Sequence, residues 1–224
     1  MQDWLSYSLS DLLLFSEQSY LRQFELYNQW LFPVQWLLYL YGAAFLIALY
    51  RRHLKVLRLL FGMTMLLWLV SGYGYLWRLY GAINWMAEYF IALFLLQVLM
   101  IGWIVILSPV WHRTGLQNKR IVSGLLLCCL TMLLQPVIEV IAGREWTRLS
   151  AFAATPDSLC GLTLAFMLAL GLPARYFIPS ALWLLFSVLT YMAMDNWMGL
   201  LPGSILLVYL ITCIPAQSSS ITPR

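Results

Sequence analysis

Residues 85–120 read WMAEYFIALFLLQVLMIGWIVILSPVWHRTGLQNKR. Across 85–108 the only formal charge is Glu88, near the entrance, and Arg113, Lys119 and Arg120 follow the exit. About 20 apolar residues in an α-helix cross a hydrocarbon core roughly 30 Å thick. This stretch therefore reads as a membrane span with basic residues gathered beyond one end. Six more apolar runs flank it, at 32–50, 56–77, 121–142, 157–172, 177–194 and 198–214. The pattern predicts an all-α fold, a polytopic transmembrane helical bundle of about seven spans.

Composition points the same way. Hydrophobic residues make up 62% of the 224 and charged residues 10%, against about a quarter charged in a soluble domain. The chain divides into an N-terminal segment (1–31), a transmembrane domain (32–214) and a tail (215–224). The first residues carry Asp3 and Asp11 and no Lys or Arg, so no signal peptide is expected. In the N-terminal segment Ser16 is a suitable helix cap ahead of Glu17, and apolar Leu21, Phe24 and Leu26 mix with Arg22, Gln23 and Glu25. That mixture predicts an interfacial amphipathic helix before the first span. Pro33 either opens that span or kinks one continuous helix.

The basic residues give an orientation. Arg51, Arg52, Lys55, Arg58, Arg113, Lys119, Arg120, Arg175 and Arg224 fall on one side, and Arg22, Arg78, Arg144 and Arg148 on the other. The positive-inside rule puts the N-terminus outside and the C-terminus in the cytoplasm. The carboxylates Asp3, Asp11, Glu17, Glu25, Glu88, Glu139, Glu145, Asp157 and Asp195 all fall on or near the outer side. The last three spans are short, since 16 residues reach only about 24 Å. A re-entrant hairpin formed by the fifth and sixth is the alternative to two full crossings.

Polar residues mark out a candidate site. In the fourth span Gly124, Cys128, Thr131, Gln135 and Glu139 follow helical steps, a stripe that lipid would penalise. Around the first span Glu25, Asn28, Gln35, Tyr39 and Gly42 form a similar stripe if the helix runs on through Pro33, and Asn84 and Glu88 lie one turn apart ahead of the third. Intramembrane carboxylates commonly mark ion or substrate paths. The functional reading is one outer pocket lined by Glu25, Asn28, Gln35, Asn84, Glu88, Gln135 and Glu139. The plainer reading is that these residues pack helices together, cap them or reach the interface. Asp157, in Thr155-Pro156-Asp157-Ser158, is a further candidate for the pocket, and its plainer reading is a place in a helix start; Gly161, Ala165 and Ala169 beyond it form a ridge for close helix contact.

Other chemistries find little footing. His53 and His112 lie in loops rather than facing each other inside the bundle, so no haem is expected. Cys128, Cys129, Cys160 and Cys213 lie in apolar runs without metal-ligand spacing, so no metal, disulfide or cofactor is expected. The dispersed basic residues exclude nucleic acid as a partner, leaving the lipid bilayer and other membrane subunits.

The stretch Phe24-Glu25-Leu26-Tyr27-Asn28 followed by Pro33 and Gln35, the pair Ile83-Asn84, and Thr155-Pro156-Asp157 leading through Thr163 and Leu164 carry a resemblance over most of the chain. The sequence resembles bacterial membrane proteins grouped as domain-of-unknown-function family 6064. The resemblance implies a multi-pass protein of the bacterial inner membrane and no particular activity. It draws attention to Glu25, Asn28, Asn84, Pro156 and Asp157. Two functions from different classes fit the residues. One moves a small solute or ion, or serves as a membrane accessory subunit, through the outer polar pocket. The other is an intramembrane enzyme acting on a lipid-like substrate through Glu88, Glu139 and Asp157.

Overall fold

A computed structural model describes residues 15–112 and 116–218, with side chains described as far as residue 211. The expectations attached to Asp3, Asp11, Arg113, Arg224 and the tail beyond 218 lie outside the described residues, and that attached to Cys213 outside the described side chains. Among those residues every regular element is helical: α1 (Glu17–Leu31), α2 (Gln35–Tyr50), α3 (Leu54–Ser71), α4 (Ala87–Leu107), α5 (Asn118–Cys129), α6 (Gln135–Ile141), α7 (Pro156–Leu170), α8 (Ile178–Ala193) and α9 (Leu200–Ser218).

The capping signal at the start of α1 is realised, with Ser16 Oγ accepting the Ser19 N–H at 3.2 Å. Tyr20, Phe24, Tyr27 and Leu31 line its buried face. The chain breaks at Phe32–Val34, and α1 and α2 meet at 87°. Pro33 donates no backbone hydrogen bond and cannot continue α1. The continuous helix that would align Glu25, Asn28, Gln35, Tyr39 and Gly42 on one face is therefore not formed.

Four helical stretches are long and apolar enough to cross a membrane: Leu54–Ala82, Ala87–His112, Asn118–Ile141 and Ala174–Ala193. The bent α1–α2 pair raises the number to five, and Pro156–Leu170 and Trp197–Ile211 are shorter apolar helices. Length and composition thus mark four or five of the seven expected spans. Large apolar side chains stand exposed on their outer faces, among them Leu40, Ile47, Leu66, Leu99, Ile106 and Leu126. Patches of that extent belong against lipid or another protein, not water.

Two of the long helices contain a π-helical segment, Gly72–Trp77 after α3 and Leu130–Leu134 between α5 and α6. The second immediately precedes Gln135-Pro136, where the sequence predicts a kink. In the wider turn Gln135 N–H donates to Leu130 O, five residues back, just before the proline.

At the centre stands α7, every residue of which is buried. A helix enclosed all round meets protein and not lipid. Its Gly161–Ala165–Ala169 ridge lies against the small face of α5: a Cβ on Gly124 would meet Ala169 Cβ at 2.7 Å and the Ala165 carbonyl at 2.9 Å, and one on Gly161 would collide with Thr131. The whole Gly124–Cys128–Thr131–Gln135–Glu139 stripe is buried, as the sequence predicts. At its far end α7 stops at Gly171 in the left-handed region (φ 62°), where Leu172 N–H donates to Met167 O at 3.0 Å. The Arg120 guanidinium, from the start of α5, packs onto Gly171. A cation there suits the negative end of the α7 dipole.

Candidate functional site

The polar residues gather where α6 ends and α7 begins. Gly143, with φ 84°, closes α6 in a tight C-terminal turn, and Arg144 N–H donates to Glu139 O at 3.0 Å. The turn folds Arg144 back into the bundle. Its Nη1 lies 3.2 Å from Glu139 Oε1, and both side chains are 2% exposed. The Nη1 direction misses the line of a hydrogen bond, and Nε has no hydrogen-bond partner among the described residues. Arg144 Nη2 donates to the Tyr191 hydroxyl at 3.2 Å, and the guanidinium lies over the rings of Phe24 and Tyr191, 5.7 and 5.9 Å from their centroids. Burial works to lower the Arg144 pKa, but the neighbouring Tyr191 and Glu139 outweigh it and hold it above its ordinary value. The second oxygen of Glu139 accepts the Ser150 N–H at 2.7 Å.

Asp157 is buried beside this pair. It does not cap α7, because both of its oxygens face α8: Trp183 Nε1 donates to Oδ1 at 2.8 Å and Ser187 Oγ to Oδ2 at 2.8 Å. Thr155, at the cap position, makes no capping bond either, its hydroxyl going to Ala151 O and Ser158. The helix-start explanation of Asp157 is therefore replaced by a cross-helix role. The partners of Asp157 are neutral donors, whereas Glu139 has the arginine.

Four of the expected site residues meet around the loop that follows Gly143. Glu25 pairs with Arg148 at 3.2 Å. Asn28 Nδ2 donates to Thr147 O at 2.9 Å and Leu149 O at 2.8 Å, and Gln35 Nε2 reaches across the α1–α2 break to Asn28 O at 3.0 Å and Oδ1 at 3.1 Å. Glu139 holds the same loop from inside through Ser150. Gln135 is buried one turn earlier, its Oε1 without a hydrogen-bond partner among the described residues. Asn84 is buried elsewhere: it donates to the Tyr80 hydroxyl at 2.8 Å and accepts the Met86 N–H at 2.9 Å. Tyr80 packs edge-on against Trp183, the residue that bonds Asp157. Glu88 is not brought to Glu139. It is exposed at the start of α4, without a hydrogen bond or ion pair among the described residues.

Above Arg144 a cavity of about 350 Å³ opens, lined by Glu17, Leu21, Gly143, Asp195, Asn196 and Trp197. Below Asp157, α8 carries a second and separate group of buried polar residues. Ser180, two turns before Ser187, donates to Gln97 Oε1 at 3.0 Å, and Gln97 Nε2 donates to Tyr176 O at 3.4 Å. Thr163, on α7, accepts from Trp68 Nε1 at 2.9 Å. Sequence reasoning missed Arg144, Gln97, Ser180, Trp183, Ser187 and Tyr191. A signal was there for α8, since Ser180, Trp183, Ser187 and Thr190 repeat at steps of three, four and three. Arg144 carried none, because a charge near a span end reads as a loop residue. His53 and His112 are both exposed, and no group of three His, Cys, Asp or Glu suited to a metal forms among the described residues.

Residues 17–217 match the model of a family of unknown function, DUF6064. The match covers most of the chain, and the protein belongs to that family. No curated protein and no solved structure matches the chain.

Proposed function

We propose that the protein is a seven-crossing protein of the bacterial inner membrane that moves a small solute or ion, entering over Arg144 at the outer face. The observation that carries this reading is the pair of buried polar groups along α8, Ser187 on Asp157 and, two turns away, Ser180 on Gln97. Buried polar groups are expensive in a bilayer setting and concentrate on ion and proton paths. The proton is the ion of first choice, because Asp157 is held by neutral donors and can exchange one without breaking an ion pair.

The depth of α7 supports the reading of seven crossings. One end lies beside Glu139, at the end of α6, and the other beneath Arg120, at the start of α5. The helix thus travels as far as the α5–α6 span, which favours full crossings over a re-entrant hairpin. Its 15 residues reach about 22 Å, and protein on all sides removes the need to match lipid thickness. Cysteines replacing Gln117 and Thr147, both exposed, test the orientation. An impermeant thiol reagent applied to whole cells is expected to label position 147 and spare 117, and the reverse pattern overturns it.

Proton movement is tested in liposomes holding the purified protein and a pH-sensitive dye, driven by a potassium diffusion potential. Uptake above that of empty liposomes is expected, falling at least tenfold in Asp157→Asn. Uptake equal to that of empty liposomes removes the proton reading.

A further inference from the structure

The π-helical segment after α3 shapes a second site, away from the Arg144 cluster and independent of the translocation reading. Its wide turn and the missing side chain at Gly72 leave an apolar cleft of about 190 Å³ between α3 and α4, lined by Trp68, Gly72, Tyr73, Phe94, Leu95 and Val98. Trp77 and Ile91 line both this cleft and an adjoining cavity of about 150 Å³, whose other walls include Asn84, Trp85 and Glu88. The apolar part lies within the depth of two helices long enough to cross a membrane. Trp77 and Trp85 stand exposed at their ends, the residues that mark the headgroup level. Glu88, in the polar part, has no internal partner, and Arg78, one residue beyond Trp77, is likewise exposed and unpaired among the described residues.

We propose that this cleft binds one phospholipid with a primary ammonium headgroup, an acyl chain lying against Phe94 and Leu95 and the ammonium against Glu88. The membrane supplies the chain, and the unpaired carboxylate at the polar end selects the headgroup. A π-helix interrupting an α-helix is a frequent mark of a binding site. Arg78 is the cation available to the lipid phosphate.

The test is native mass spectrometry of the full chain equilibrated with equal amounts of phosphatidylethanolamine and phosphatidylglycerol of matched chains. One phosphatidylethanolamine is expected to be retained at least fivefold over phosphatidylglycerol. Glu88→Gln is expected to abolish the preference while leaving lipid bound. Leu95→Trp, which fills the cleft, is expected to lower retention of both. Equal retention of the two lipids, retention of neither, or an unchanged preference in Glu88→Gln overturns the proposal. Glu88 is exposed, so its variant keeps the fold and decides the matter even if Leu95→Trp elutes aggregated.

Discussion

Replacing Glu139 by alanine is expected to cost about 3–5 kcal/mol of stability, the usual penalty for removing one partner of a buried ion pair. Arg144 would keep its charge, because a guanidinium does not deprotonate in a protein, and only the Tyr191 hydroxyl and two ring faces would remain to stabilise it. The Ser150 N–H would lose its acceptor as well, releasing the loop that Asn28 and Glu25 hold from the other side. The double variant Glu139→Leu/Arg144→Met removes both charges and is expected to recover most of the loss. Thermal melting in one detergent compares the three proteins. A single variant that melts with the parent would mean that water from the cavity above Arg144 already solvates the guanidinium.

The other large effect is expected at the α5–α7 contact. A side chain on Gly124 has nowhere to go, since the Ala165 carbonyl ahead of it is backbone and Ala169 closes the remaining direction. Gly124→Val is expected to cost about 3 kcal/mol, the upper part of the ordinary overpacking range, with Gly124→Ala less damaging. Adding Ala169→Gly to the alanine variant removes the closest clash and is expected to restore part of the loss. Gly62→Ala is the control, because the nearest atom to its new carbon would be Val105 Cγ1 at 3.7 Å, an ordinary contact. Equal melting of the Gly124 and Gly62 variants would show that the two helices can separate without loss.

What the sequence made legible follows one physical line. Lipid punishes unpaired polar groups, so the Gly124–Glu139 stripe had to face inward and does. Capping at Ser16 is a local backbone effect and equally readable, whereas Pro33 left a kinked continuous helix and a true break both open, and the structure has the break. Burial of α7 is not readable, because a helix packed in protein and one packed in lipid draw on the same apolar residues. Asp157 misled for a related reason: the second position of a helix suits an acid whether or not it caps, and only the placement of α8 reveals the bonds to Trp183 and Ser187. Arg144 was hidden by a turn, since one glycine after α6 converts an expected loop charge into a buried one. Glu88 shows the opposite case, an acid at a span end that stays outside.

The complete enclosure of α7 has a consequence for how the protein is made. Emerging from the ribosome, this segment is short and carries an acid near its start, and an acid in a span weighs against insertion on its own by up to about 2.5–3.5 kcal/mol when central. Its groove between α5, α3 and the α8–α9 region is only half built at that moment, because α8 and α9 have yet to be synthesised. Asp157 therefore has neither of its partners, Trp183 and Ser187, until α8 has been made. Synthesis halted between residues 170 and 187 is expected to leave a chain that quality-control proteases recognise. The centre of the bundle is thus closed only by the segments made after it.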